Sequence, residues 1–162
     1  MRAEQLTEDD WETLRDVRLT ALHSDAAAFG SSLERERGFK ESHWRMRLRT
    51  TPTFVVRAGG RAVGLIGAIR EPGAPAEERH LIALWVDPEH RGRGAAQALL
   101  TAAEDWAVHD GASLVSLWLV DGNDDAAELH RGAGYAPTGV RMPMPRDRTR
   151  TEERWTKLLA TG

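Results

Sequence analysis

Apolar residues recur along the chain at two spacings, one of about 3.6 residues that is typical of amphipathic helices and one of about two residues that is typical of strands. The helical spacing predicts helices over roughly 8–22, 41–48, 94–110 and 124–133. Strand-like runs lie at 54–58, 61–70, 80–86, 113–120, 137–145 and 152–159. Gly59 and Gly60 separate the first two strands, which predicts a tight antiparallel hairpin.

The strand–helix–strand unit at 80–120 decides the fold class. Such a connection within one sheet is right-handed and makes its two strands parallel, whereas the other neighbours are expected to pair antiparallel. The sequence therefore predicts an α+β fold with a mixed, mostly antiparallel sheet and flanking helices. With 162 residues the chain fits a single domain, which we divide into a helical region at 1–52, a first sheet half at 53–110 and a second at 111–162.

Composition removes several classes of function. The chain has no cysteine, which excludes a disulfide framework, a thiolate metal site and a cysteine nucleophile. The histidines lack metal-ligand spacing, and we predict no metal. A net charge of -3 provides no basic field for nucleic acid. Without a long apolar run or a signal-peptide core at the N-terminus, we expect a cytoplasmic protein with no membrane partner.

The segment from Trp85 to Leu100 carries the clearest chemical signal. A strand leads through a glycine-containing turn directly into a helix, so backbone N–H groups converge at the positive end of the helix dipole and favour an anion. The glycines let the backbone approach a phosphate closely, and the arginines add charged donors. The candidate anion-binding residues are Arg91, Gly92, Arg93, Gly94, Ala95 and Ala96.

A mononucleotide, a dinucleotide or no ligand at all are the alternatives for this turn on the residues alone. A mononucleotide loop needs G-x-x-x-x-G-K-[ST], which does not occur in the sequence. A dinucleotide turn needs a third glycine where the chain has Gln97, so that interpretation is weak. An exposed polar turn with its arginines in water remains an alternative on the residues alone.

Two motifs resemble one known family. Arg91-x-x-Gly94-x-Ala96 is similar to the Q/R-x-x-G-x-G/A signature of the GNAT superfamily of acetyl-CoA-dependent N-acetyltransferases. The later block that runs from Asn123 through His130 to Tyr135 resembles the family's N-x-x-A-x-x-L-Y-x-x-x-G-F/Y pattern. The resemblance covers residues 53–159. Residues 1–52 match the family only in having two helices where it has its acceptor-binding elements.

The resemblance implies a GNAT fold and an acyltransferase that uses acetyl-CoA as its co-substrate. The strands at 80–86 and 113–120 would splay apart around the pantetheine arm, and the turn at 91–96 would hold the pyrophosphate. A primary amine of a small molecule or protein would attack the thioester directly, with no metal, and the protein could form a homodimer. Besides the turn, the implied acetyl-CoA-binding residues are Trp85, Val86, Asn123 and His130.

The direct reaction needs a base for the ammonium and an acid for the thiolate. The resemblance makes His80 the first candidate base and Glu78 the second, while His80 could also be a strand residue bonded to its surroundings. His130 stands where the family commonly has the tyrosine acid, and we expect the helix dipole to hold its pKa at or slightly above the usual value. Tyr135 is expected in the core.

Acceptor identity is only weakly indicated. Acidic residues would favour a cationic amine if they line the mouth of the cleft, and these are Glu77, Glu78, Asp121, Asp124 and Asp125. The segment 29–34 and Trp44 are candidates for the acceptor wall. Two other classes stay open, namely a non-catalytic acyl-CoA-binding module and an interaction protein that kept the fold without the ligand.

Overall fold

The structure, a computed structural model, describes residues 1–160. Its sheet has the strand order β1-β2-β3-β4-β5-β7-β6. β4 and β5 pair in parallel, and the pairs β1–β2, β2–β3, β5–β7 and β6–β7 are antiparallel. The predicted α+β class with a mixed sheet is confirmed. The strands are β1 (Ala3–Gln5), β2 (Thr53–Ala58), β3 (Arg61–Ile69), β4 (Glu78–Val86), β5 (Leu114–Val120), β6 (Ala136–Pro143) and β7 (Thr151–Leu158).

Helices flank this sheet close to the predicted positions. They are α1 (Trp11–Ser24), α2 (Leu33–Glu36), α3 (Glu41–Thr50), α4 (Ala95–His109) and α5 (Asp124–Gly132). The sequence analysis missed β1 and α2, which are three and four residues long and too short to show a period. None of the helices in residues 1–160 is long and apolar enough to cross a membrane.

The hairpin between β2 and β3 forms as predicted. Ala58 pairs with Arg61, and the two glycines between them have φ values of +59° and +80°. Positive φ at both central positions is the conformation of a type I′ turn, which matches the twist of antiparallel strands. Glycine is the residue that adopts it at the lowest cost.

The described chain divides into two compact units. The first contains residues 1–69 and 83–103, and the second contains residues 70–82 and the chain from 104 onward. In the first unit, α1, α3, β2 and β3 pack around a core that includes Leu14, Val17, Leu22 and Trp44. Trp44 is fully buried, so the expectation that it lines the acceptor wall is wrong.

A buried ion pair fixes the helices of the first unit. Glu36 in α2 accepts from Arg18 Nε of α1 at 2.9 Å and from Arg47 Nη1 of α3 at 3.0 Å. Burial opposes the charge on Glu36, but the hydrogen bonds from its arginine partners and from Ser31 prevail and lower its pKa to about 2. The four-residue α2 is therefore held by its neighbours rather than by its own helix propensity.

The second unit centres on β5, β7 and α5. Val115, Leu117 and Trp155 are buried. Tyr135 also lies in this core, as predicted, and its hydroxyl donates to Glu104 Oε2 at 2.6 Å. Residues 161–162, the end of the predicted second sheet half, lie outside the described residues.

Candidate functional site

In the first unit, the turn between β4 and α4 has the conformation required of a bare backbone loop. Gly92 and Gly94 have φ values of +76° and +82°, and α4 begins at the next residue, Ala95. A Cβ added to either glycine would meet no heavy atom within 4 Å. These two positions therefore favour glycine because of their backbone conformation and not because of close packing. The open space beside them would let a ligand approach the N–H groups at the start of α4.

The side chain of Arg91 stabilises this turn. Its Nε donates to the carbonyl of Val86 at 2.9 Å, and its Nη2 donates to Asp25 Oδ2 at 3.2 Å. The same carboxylate oxygen accepts from Trp85 Nε1 at 2.6 Å. Asp25 was missed by the sequence analysis, because no motif marks a residue in the irregular segment after α1. Arg93 is exposed and makes no hydrogen bond or ion pair within residues 1–160, so its guanidinium can turn to a ligand.

The backbone of β4 is irregular just before this turn. Ala83 has a φ of +59°, in the left-handed region that non-glycine residues seldom adopt. Such a conformation costs roughly 1–3 kcal/mol and is kept only where the surrounding structure enforces it. Neither the apolar pattern nor any motif predicted it, because periodicity reports which face a residue occupies and not its backbone angles.

In the second unit, His80 lies within a polar cluster. Its Nδ1 is 2.8 Å from Ser116 Oγ, and Arg154 Nη2 lies 2.8 Å from the same oxygen. Arg154 Nη2 also lies 2.6 Å from a carboxylate oxygen of Glu71 and 2.6 Å from one of Glu78, so its two protons are shared among these two oxygens and Ser116 Oγ. The parallel register puts His80 opposite Ser116, while Arg154 projects from β7. We call these five residues the His80 cluster.

Burial and neighbouring charges compete in setting the pKa values of this cluster. Burial lowers the pKa of His80, the Glu71 charge opposes that shift, Arg154 reinforces it and Glu78 opposes it. Burial would raise the pKa of Glu71, but the hydrogen bond that it accepts from Arg154, the charge of protonated His80 and the charge of Arg154 prevail and lower it. His80 is therefore neutral at pH 7, which is the state that a base requires.

The presence of Ser116, His80 and Glu78 in one cluster does not make a nucleophilic triad. Ser116 is fully buried, and a cationic guanidinium donates into its oxygen instead of a base withdrawing its proton. Its Oγ also lies 3.3 Å from Glu78 Oε2, a hydrogen-bond acceptor. The hydroxyl is consequently a hydrogen-bonding group within the strand pair.

His130 has a simpler environment. Its Nδ1 lies 2.7 Å from the carbonyl of Ala126, which can only accept, so Nδ1 carries a proton. Its Nε2 is buried and has no partner among the described residues. Burial lowers the pKa of His130, although the bond to Ala126 opposes the shift. The expectation of a pKa at or above the usual value is wrong, because the effect of burial is larger than that of the hydrogen bond to Ala126.

The other predicted residues have more limited roles. Asn123 Oδ1 accepts from the backbone N–H of Ala126 at 3.1 Å and caps α5. Glu78 is paired with Arg154, and Asp121 is paired with Arg141, so two of the five acidic groups proposed for a cationic amine already have partners. Within residues 1–160, no three acidic or histidine side chains are grouped closely enough to hold a metal ion.

Sequence comparisons show the family of this chain. Residues 7–135 match the family described as the Acetyltransferase (GNAT) family, and the chain belongs to that family. The N-acetyltransferase family 8 member 2 of Rattus norvegicus is 28% identical over 131 residues, covering 80% of this chain and 52% of the rat protein. The chain spans about half the length of the rat N-acetyltransferases that it matches.

Solved structures show the same fold. An acetyltransferase of the GNAT family from Streptococcus pneumoniae superposes with a TM-score of 0.80 at 14% identity and covers 98% of both chains. The yncA protein of Salmonella typhimurium, solved with its cofactor acetyl-CoA, gives a TM-score of 0.77 at 18% identity, covering 99% of this chain and 94% of its own. The expected GNAT fold is confirmed.

Proposed function

We propose that this protein is an N-acetyltransferase that moves the acetyl group of acetyl-CoA to a primary amine of a small molecule or protein. The observation that carries the proposal is the turn at 91–94, with two open left-handed glycines at the start of α4 in a chain that belongs to the GNAT family. A related fold has been solved with acetyl-CoA as its cofactor.

The turn fits a pyrophosphate on its own chemistry. The first N–H groups of a 15-residue helix have no partner within that helix, and the dipole adds positive potential at the same end. Arg93, which has no hydrogen-bond or ion-pair partner within residues 1–160, supplies a cation, and Arg91 stabilises the turn through its bonds to Val86 and Asp25. We assign pyrophosphate binding to the turn backbone and Arg93, with the backbone of Trp85 and Val86 next to the pantetheine arm.

His80 is the proposed base. Acetyl-CoA supplies an activated acetyl group: the amine nitrogen forms a bond to the acetyl carbon, the carbon–sulfur bond breaks, and the amine loses a proton while CoA gains one. His80 is neutral because burial lowers its pKa, so it can take the amine's proton directly or through water. Glu78 is the weaker candidate, since Arg154 holds its carboxylate in an ion pair.

His130 is the proposed donor to the CoA sulfur, with a condition that the structure imposes. Neutral His130 presents a lone pair at Nε2 and donates only after it takes up a proton. Burial makes that cationic form a minority at neutral pH. The buried, unpartnered Nε2 supports a ligand-directed role, because an unsatisfied polar atom costs about 1–3 kcal/mol of folding free energy.

The test is calorimetry with CoA on Gly94→Val, with Gly73→Val as its matched control. Gly73 has a φ of +81° and equally open surroundings, so both substitutions impose the same backbone strain. We expect Gly94→Val to weaken CoA binding at least about tenfold, since a branched side chain would cover the N–H groups, and Gly73→Val to leave it unchanged. Equal affinities would refute the assignment of this turn.

A thiol-release assay with a panel of amines then separates an enzyme from a module that only binds acyl-CoA. CoA binding without thiol release on any amine would favour the non-catalytic module. A lack of CoA binding by the unmodified protein would favour the interaction protein. Release that depends on one class of amine would identify the acceptor.

A further inference from the structure

The protons of the His80 cluster can be assigned from its contacts. A guanidinium nitrogen only donates, so a lone pair of Ser116 Oγ faces Arg154, and the serine O–H points elsewhere. Two acceptors remain for that single proton, Glu78 Oε2 at 3.3 Å and His80 Nδ1 at 2.8 Å. The choice between them decides which nitrogen of His80 carries its own proton.

One arrangement satisfies every group. If the serine O–H is donated to Glu78, the second lone pair of Ser116 accepts from His80 Nδ1–H. That proton then lies on the side of the Glu71 carboxylate, whose Oε1 is 3.7 Å from Nδ1. In the opposite arrangement Glu78 loses the hydroxyl donor, and the Nδ1 lone pair faces a carboxylate, which is electrostatically unfavourable.

We propose that Ser116 and Arg154 are positioning residues that together hold neutral His80 in the Nδ1–H tautomer, which leaves Nε2 as the basic atom. Arg154 orients the hydroxyl by occupying one lone pair of Ser116, and Ser116 accepts the Nδ1 proton. The inference rests on the proposed base role of His80, but the tautomer is a property of the protein without any substrate.

Arg154 has a second effect on the same histidine. It donates to both carboxylates of the cluster, and its own guanidinium is held over the Trp118 ring at 5.4 Å. Glu71 and Glu78 would favour a cationic His80, and the arginine offsets them. The cluster therefore fixes the tautomer and keeps the base in its neutral, proton-accepting form.

The first experiment is a two-bond ¹H–¹⁵N correlation spectrum of the protein alone, with His80→Gln to assign the ring signals. We expect the unprotonated nitrogen of His80 to be the one coupled to both ring C–H protons, which is Nε2. Ser116→Ala leaves Nδ1 without an acceptor within hydrogen-bond distance, and we expect it to shift the population toward Nε2–H. An Nε2–H tautomer in the unmodified protein, or no change in Ser116→Ala, would overturn the proposal.

The second experiment is an NMR pH titration of His80 in two variants with opposite expected signs. Arg154→Met should raise the pKa of His80, because it leaves Glu71 and Glu78 unopposed, whereas Glu71→Gln should lower it. Arg154→Lys keeps the charge and should bring the pKa back toward that of the unmodified protein. Shifts of the same sign in Arg154→Met and Glu71→Gln would overturn the role of Arg154. If Arg154→Met does not fold, the titration of Glu71→Gln tests the effect of the Glu71 charge on His80 by itself.

These measurements separate the inference from the function itself. If the tautomer and the titrations are as expected but no amine releases thiol from acetyl-CoA, the positioning assignment stands and the proposed function fails. If amines are acetylated while His80 is the Nε2–H tautomer, the positioning assignment fails and the proposed function stands.

Discussion

His80 and His130 are both buried histidines of the second unit, and burial lowers the pKa of each, yet their surroundings differ in kind. The Nδ1 of His80 meets a hydroxyl, which can donate or accept, within a group of charged side chains. The Nδ1 of His130 meets a backbone carbonyl, which can only accept. The tautomer of His130 is thus fixed by its own helix, while that of His80 depends on residues from three strands and a loop.

This contrast bears on mechanism. A histidine in an adjustable charged network can have its basicity tuned by its partners, which suits a base that must be neutral before each turnover. A histidine with one fixed bond and one unpartnered nitrogen can respond only to what binds next to it. We therefore expect His80 to carry the larger catalytic effect.

The largest expected effect is that of His80→Gln. Loss of the proposed base should lower kcat/KM by roughly 10²-fold or more and leave CoA affinity nearly unchanged, as measured by thiol release and calorimetry. His109→Gln, at the exposed end of α4, is the matched histidine control. The unmodified protein should lose activity in acid as His80 becomes protonated. Because the pKa of His80 is lowered, this loss should occur at a pH below the usual range for histidine.

A different pH profile would reassign the base. If His80→Gln keeps the acid limb of the unmodified enzyme, His80 is not the group that titrates. Glu78→Gln then becomes the next variant, since Glu78 is the remaining candidate and Arg154 is its partner.

An intermediate effect is expected at the other histidine. His130→Phe keeps a ring but removes the donor, and we expect kcat to fall about tenfold, with His130→Tyr recovering most of the loss. Because donation requires cationic His130 and burial disfavours that form, kcat of the unmodified enzyme should decline as pH rises above the lowered pKa. A loss of less than about threefold in His130→Phe would show that the thiolate leaves unassisted.

The sequence predicted the elements that depend on period and on turn chemistry. The hairpin at Gly59 and Gly60 formed because two glycines in that context specify one turn type, and the glycines at 92 and 94 adopt positive φ in the turn predicted between β4 and α4. The long elements α1, α4 and β5 were placed to within a few residues, since their apolar periods are long enough to be distinguished from chance.

What the sequence could not predict depends on contacts between distant residues. Asp25 reaches Arg91 across 66 positions, and Arg154 reaches Glu71 across 83, and neither pair belongs to a motif. The lowered pKa of His130 was also missed, because its position near the helix end was visible in the sequence and its burial was not. The left-handed conformation of Ala83 was also not predicted, because the spacing of apolar residues does not report backbone angles.

The smallest expected effect concerns stability against pH, and it separates the two histidines without any substrate. A histidine whose pKa is lower in the folded than in the unfolded protein contributes stability that is fully present above the unfolded value near 6.5 and is lost as pH falls toward the folded value. His130→Phe removes one such group together with its unpartnered Nε2, so the variant should lose less Tm between pH 7.5 and pH 5 than the unmodified protein, as followed by thermal unfolding. For a domain of this size each kcal/mol corresponds to about 2–4 °C in Tm. The charges around His80 shift its pKa in both directions, so His80→Gln should change the acid sensitivity less simply. An unchanged fall of Tm in His130→Phe would show that His130 does not resist protonation in the folded state.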